Sequence, residues 1–365
     1  MPPLPPLHFY APLLILPLLP AKFSPSHSVA NSAAVPFFSY TTLLNLSSPR
    51  SSLPTETRLL KHSHPSTSTS TLISICQAQG HRPYQEDRYA IVSYNLKNSG
   101  SWRERIMGVL GLKYNNKREA PLIAAIFDGH GNASCSSYCS SSLSSFVPPL
   151  PPSSPSTFLT TLPLTLDATF SSQPSSGGTT SNILHILPHK ISCSNTGDSR
   201  SIYVPKSLKK HQRLSIDHNP KTRPDEVRRI NELNGQIHTG QFGITGVLLR
   251  LLSTIQGVDL PLRVYNDDGR GGLNMTRSLG DVYLKPLVIP DPEIVELEVD
   301  EGYIIQATDG LWDVVSNSEV VSCLRNAVKS FETDEEVVRN VSLALTRGAM
   351  RKGSEDNITV VVIKI

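Results

Sequence analysis

Four stretches of this 365-residue chain place acids where strands end. In "IAAIFDGHG" a run of small and β-branched residues stops on Asp128, followed by Gly129 and His130. "GYIIQATDGLWD" repeats the pattern at Asp309, with Gly310 next and Asp313 four residues on. "RKGSEDNITVVVIKI" sets Asp356 and Asn357 directly before the last strand, and "GHRPYQEDRYAIVSY" sets Glu86 and Asp87 before an early one. One acid in such a place is an ordinary turn residue. Four, from remote parts of the chain, can form a single cluster at one rim of the sheets. Unpaired carboxylates held together repel and raise one another's pKa values, and divalent cations remove that penalty. Oxygen ligands in this number, without His or Cys at metal spacing, point to Mg²⁺ or Mn²⁺ rather than zinc. Two such ions bridged by one carboxylate acidify a water and hold an oxygen-rich substrate in line with it, which is the chemistry of phosphoester hydrolysis.

The elements that must position these acids are readable from periodicity. Alternating or β-branched runs predict strands over 72–78, 88–94, 122–127, 182–187, 190–195, 200–204, 303–308 and 358–364. Apolar stripes predict helices in "NASCSSYCSSSLSSFV" and "TFLTTLPLTLDATFSS". In "TRPDEVRRINELNG", Thr222 or the residue before it is expected to cap. Pro224 stands in the first turn and Asn234-Gly235 stops the helix. "SNSEVVSCLRNAVKSF" and "DEEVVRNVSLALTRGAMRKG" read as amphipathic helices, the first opened by a cap-type "SNSE". Strands in runs followed by helices in pairs indicate a mixed α+β sandwich, not a βαβ repeat.

Composition narrows the function classes. Up to residue 75 the only acid is Glu56, against Lys22, Arg50, Arg58 and Lys61, so this segment carries the +3 of the whole chain and the remainder is close to neutral. A neutral body argues against a nucleic-acid groove. "KSLKK", 206 to 210, reads as a solvated loop. Five scattered cysteines (Cys76, Cys135, Cys139, Cys193 and Cys323) make neither a disulfide framework nor a zinc site, and read as buried thiols. Residues 1–71 read as a targeting or flexible leader. "PLHFYAPLLILPLLPA" is short and proline-broken for a membrane span. A secretory signal and a plastid-type transit peptide both remain open readings.

Taken in order, "GHRPYQEDR", "FDGHG", "SGGTT", "NTGDSR", "LSIDHNP", "NMTRSLGD", "ATDGLWDVVSN" and "GSEDNITVVVIKI" resemble the metal-dependent type 2C family of serine/threonine protein phosphatases, from about Cys76 to Ile365. The resemblance implies one catalytic domain over 72–365, built as a four-layer αββα sandwich of two antiparallel sheets flanked by helix pairs. It implies two Mg²⁺ or Mn²⁺ ions, with Asp128 bridging them. Glu86 and the carbonyl of Gly129 match ligands of one ion, and Asp309 and Asp356 match ligands of the other. Arg82 matches the guanidinium that grips the substrate phosphate, and His130 the acid that protonates the leaving oxygen. The implied nucleophile is a bridging hydroxide. Asp87 and Asn357 match groups that orient metal-bound waters, and Asp217 and Asp313 match a weaker third site found in some members. Asp217 is balanced against a helix-entry turn, His218 reads as a turn residue, and Asp198 as an architectural turn residue.

Several other readings fail on the same residues. "GGTT" lacks the Lys of a P-loop and reads as small residues in a tightly packed strand. The Asp-Gly of "TDGLWD" lacks the nucleotide loop of a kinase. The implied partners are phosphoprotein substrates, with no nucleic acid, for a monomer. The alternative is a phosphatase-like binding module whose metals are structural. Two stretches depart from the family pattern. One is 236–271, unusually apolar where a short polar flap is expected. The other is the proline-heavy "SSFVPPLPPSSPSTFLTTLPL", which leaves helix boundaries open.

Overall fold

The computed structural model describes residues 55–63, 70–93, 121–148, 154–187, 189–239 and 260–365. Most of the leader, including its apolar run, and residues 240–259 of the divergent segment lie outside this set. Among the described residues no helix is long and apolar enough to cross a membrane.

Two antiparallel sheets form the centre. The first runs β1 (Thr55–Ser63), β2 (Ser70–Ala78), β17 (Ile358–Lys364), β16 (Gly302–Ala307), β9 (Arg200–Pro205) and β10 (Gln212–Arg213), in that spatial order. The second runs β15 (Glu293–Glu298), β8 (Lys190–Thr196), β7 (Ser181–Leu187), β4 (Leu122–Phe127) and β3 (Arg88–Ser93). Side-chain alternation along each strand assigns its two faces. In β4, Leu122, Ala124 and Ile126 join Ile73 and Ile75 of β2, Ile304 of β16, and Val361 and Ile363 of β17 in a layer between the sheets. The odd-numbered partners Ile123, Ala125 and Phe127 face outward onto α1 (Ser134–Phe146) and α2 (Pro155–Ser171). Ile358, Val360 and Val362 of β17 likewise face α5 (Asn317–Ser330) and α6 (Asp334–Arg351). The result is the expected αββα layering. Each fully buried Val, Leu or Ile contributes about 1.5–3 kcal/mol to it.

Each helix has a local cause. On α1, Cys135, Cys139 and Leu143 recur every four residues and are the buried stripe. Ser316 and Thr333 close capping boxes with Glu319 and Glu336, starting α5 and α6. Pro163 sits inside α2 and is buried, so the proline-rich segment carries a helix through one of its prolines. For α3 (Pro224–Glu232) the cap differs from expectation: Arg223, not Thr222 or Lys221, is the N-cap, without a capping side chain. Pro224 bars the residue before it from helical geometry, and Arg223 accordingly has φ −123° and ψ 80°. Asn234, at φ +60°, ends the helix region.

The described sheet also begins earlier than residue 72. β1, within the segment read as leader, pairs with β2 along nine residues. Its sequence, "TETRLLKHS", lacks the alternation of a half-buried strand, and Leu59 and Leu60 are exposed at this sheet edge. The four buried or largely buried cysteines and half-buried Cys323 are unbridged thiols, as expected. The departing flap segment contributes a small sheet of β11 (Gln236–His238), β12 (Arg263–Tyr265) and β13 (Gly271–Leu273).

Candidate active site

The sequence's central expectation concerns Asp128, and its surroundings are acidic. Asp128 follows β4, and its backbone is fixed by Thr180, whose Oγ1 accepts from Asp128 N at 3.0 Å. Asp87 and Asp309 both act on its carboxyl. Burial first, then repulsion from Asp87, Asp309, Asp198 and Asp356, pushes the Asp128 carboxyl well above the usual range. Asp309 is raised in the same way, by burial and then by Asp198, Asp313 and Asp356. The acids are remote in sequence and act on one another in space.

Asp309 opens a short helix, α4 (Asp309–Trp312), directly after β16. Leu311 and Trp312 anchor that turn in the outer core, and Trp312 Nε1 donates to Ala307 O at 2.9 Å. Asp87 is buried; its Oδ2 accepts from Thr308 Oγ1 at 3.0 Å and Thr359 Oγ1 at 2.7 Å. Its Oδ1 has no partner, and burial lifts its carboxyl to about 7. Asp356 accepts from its neighbour Asn357 N at 2.7 Å and from Arg82 Nη2 at 2.6 Å. Arg82 is half exposed, with 52% of its side chain accessible, so this surface ion pair is a weak hold on its guanidinium.

The 79–86 loop that carries Arg82 and Glu86 is clamped by Asn357. Asn357 Oδ1 accepts from Glu86 N at 2.7 Å, and its Nδ2 donates to Gln79 O at 2.7 Å and Tyr84 O at 3.0 Å. Both amide hydrogens are therefore used on backbone, and Asn357 positions Glu86 instead of orienting water. Gly129 has a further constraint. A Cβ there would lie 2.6 Å from both Glu86 O and Ser136 Oγ, while Ser136 Oγ donates to Glu86 O at 2.5 Å. The missing side chain lets the Glu86 and Asp128 loops touch.

The residues matched to a third site divide. Asp217 is gripped by Arg200 through both carboxylate oxygens and by Arg213 Nη2 at 2.6 Å. Arg200 is itself held by Asn317 Oδ1 at 2.9 Å and lies 5.0 Å from the Trp312 ring centroid. Asp217 thus serves an ion-pair clamp. Asp313 stands exposed at the rim, raised by partial burial and by Asp356 where water weakens the effect. Asp198 was the residue missed. It is 5% exposed, its Oδ1 has no partner, and burial followed by Asp313 and Asp217 lifts its carboxyl to about 7. Its charge acts on both Asp128 and Asp309, so it belongs to the cluster as well as to its turn. His218 is buried, with Nδ1 accepting from Gly197 N at 3.0 Å, which supports the turn reading. Gly178 and Thr179 are buried in a two-residue strand, as read for "GGTT".

Among the described residues no three His, Cys, Asp or Glu side chains stand together at ligating geometry. The donor chemistry nevertheless fits a hard cation: acids only, mutually repelled, with the buried oxygens Asp87 Oδ1 and Asp198 Oδ1 left without hydrogen bonds.

The model of the protein phosphatase 2C family matches residues 93–358, and the chain belongs to that family. It is 35% identical over 205 residues to protein phosphatase 2C 37 of Arabidopsis thaliana, covering 53% of this chain and 44% of that one. It is 32% identical over 212 residues to protein phosphatase 2C 53 of Oryza sativa subsp. japonica, covering 53% and 41%. The chain thus spans less than half the length of these relatives. Among solved structures, a serine-threonine phosphatase 2C from Toxoplasma gondii shares the fold with TM-score 0.59 at 18% identity, over 85% of this chain and 99% of that one. A C. elegans sex-determining protein does so at TM-score 0.59 and 24% identity, over 80% and 64%.

Proposed function

We propose that this chain hydrolyses phosphoserine and phosphothreonine esters on proteins. The observation that carries the reading is Asp128, whose carboxyl is pushed up by burial and then by Asp87, Asp309, Asp198 and Asp356, acids from four remote parts of the chain. Such a cluster is unfavourable alone and is relieved by cations. Asp128, Asp309, Asp356, Glu86 and the Gly129 carbonyl would hold two Mg²⁺ or Mn²⁺ ions. When bound, these would acidify a water and offset charge on the phosphoryl oxygens.

The chain's own residues supply the rest. Arg82 leaves Asp356 to take the phosphate oxygens with its planar fork, an exchange that its exposed position permits. His130 hands a proton to the departing serine or threonine oxygen. Asp87 is fixed by two threonines and lies close enough to Asp128 to raise its carboxyl. A third, weaker site would draw on Asp313 and Asp198, because the oxygens of Asp217 are already committed to Arg200 and Arg213.

The test is hydrolysis of p-nitrophenyl phosphate and a phosphothreonine peptide by the full chain, with Mn²⁺ and with chelator. The reading requires turnover in Mn²⁺ that chelator removes. A folded chain that binds Mn²⁺ but turns over neither substrate would support the binding-module alternative instead.

A further inference from the structure

Asp281, in the "NMTRSLGD" motif, is a carboxylate that the mechanism above does not use. It is 1% exposed, far from the strand ends that carry the other acids in sequence, and sits at φ +45° in the left-handed region. A non-glycine residue there is strained, and strain of this kind persists where the surroundings over-determine it. Its Oδ2 lies 2.6 Å from His130 Nε2 and 2.5 Å from Ser278 Oγ. A buried carboxylate with an imidazole and a hydroxyl on one oxygen has a defined task.

A dedicated scaffold creates the pair. Three two-residue strands lie side by side: β14 (Leu279–Gly280), β6 (Gly178–Thr179) and β5 (Gly129–His130). In register, Gly178 faces Gly280 on one side and His130 on the other. Asp281, the residue after Gly280, reaches across Gly178 to the imidazole. A Cβ on Gly178 would overlap the Asp281 carboxylate and lie 2.5 Å from His130 Nε2. The Asp281 backbone is pinned as well: its N donates to Gly177 O at 3.1 Å, and Gly280 N donates to Asp167 Oδ1 at 2.7 Å. Asp167 is in turn ion-paired to Lys285. His130 Nδ1 is buried and without a hydrogen-bond partner among the described residues.

We infer that Asp281 is a positioning residue for His130: it accepts the Nε2–H and so fixes the ring orientation and leaves Nδ1 as the nitrogen that takes up and then gives the proton delivered to the leaving oxygen. This rests on the reading of His130 as the proton donor. In the step, the bond from phosphorus to the serine or threonine oxygen breaks. That oxygen takes the Nδ1 proton and leaves as the alcohol; water supplies the hydroxyl that completes inorganic phosphate, and its remaining proton restores the proton on Nδ1. Holding a catalytic imidazole by a buried carboxylate at its other nitrogen follows the logic of acid–His pairs in general.

Leaving-group dependence separates this role from a structural one, since p-nitrophenolate departs without a proton and an alkoxide does not. Asp281→Asn, which tolerates the left-handed backbone, is assayed with Mn²⁺ on both substrates. The expected result is a fall in kcat of at least about tenfold on the phosphothreonine peptide, with little change in KM or in p-nitrophenyl phosphate turnover. His130→Gln should give the same pattern, and the double variant no further loss. Equal losses on both substrates, or none, would overturn the assignment. A second measurement needs no variant: ¹⁵N NMR of His130 in the full chain with Mg²⁺ and the ring neutral. An Nε2–H tautomer supports the pair, and an Nδ1–H tautomer refutes it. A wild-type chain inactive on both substrates would defeat the proposed function, while the tautomer would still decide the pairing.

Discussion

Thr308 Oγ1 donates to Asp87 Oδ2 at 3.0 Å, tying the residue before Asp309 to the residue after Glu86. Thr359 completes the tie from β17: its Oγ1 also donates to Asp87 Oδ2, and its backbone N donates to Thr308 Oγ1 at 3.0 Å. Three loops that carry candidate ligands are thereby fixed against one buried carboxyl. The site is held together by a group that would touch no substrate.

Asp87 and Asp198 give the metal-free protein a pH signature. Each carboxyl sits near 7 when folded, against an ordinary value of 3.8. Between these values the folded state binds more protons than the unfolded state, so stability falls as pH rises through that window. Thermal unfolding in chelator should show a higher Tm at about pH 5 than at about pH 8, and saturating Mn²⁺ should flatten the difference. A Tm that rises over that window in chelator would contradict the burial of these acids.

Asn357→Ala removes three hydrogen bonds that hold the 79–86 loop. Leaving those backbone groups unpaired should destabilise by about 1–3 kcal/mol. The loss should concentrate in that loop, read as faster amide exchange at Glu86.

Gly178→Ala tests the close approach of Asp281 and His130 in a different way. The added methyl overlaps both side chains, so one must move. Overpacking should lower stability by about 1–3 kcal/mol, and peptide turnover should fall more than p-nitrophenyl phosphate turnover. Equal turnover ratios would show that the pair is not sensitive to its spacing.

Arg82→Ala should scarcely alter the Tm, because an exposed ion pair such as that with Asp356 is worth about 0–1 kcal/mol. Loss of a charged phosphate contact worth about 1.5–3 kcal/mol should raise KM for the phosphopeptide by tenfold or more. Steady-state kinetics with Mn²⁺ checks both.

Much of this was legible in the chain because β-strand alternation and helix caps are local. "LIAAIF" and "ITVVVIK" declare two-sided burial, and "SNSE" declares a helix start. β1 was not legible: an edge strand needs no buried stripe, and "TETRLLKHS" shows none. The acids at strand ends followed one rule, and the same rule applied to "ISCSNTGD" would have found Asp198 at the end of β8. Its Gly-Asp setting made a turn reading sufficient. The Arg200 and Arg213 grip on Asp217 and the pairing of Asp281 with His130 depend on contacts between distant segments, which no spacing in the sequence encodes.

Binding of Mn²⁺ to the full chain by isothermal titration, for wild type and Asp128→Asn, tests the central claim most directly. Wild type should take up about two ions, and the variant should lose that binding along with turnover. In chelator the variant should be at least as stable as wild type, since it removes a repelled buried charge. Wild type without Mn²⁺ binding, or a variant that binds and turns over as wild type does, would contradict the account.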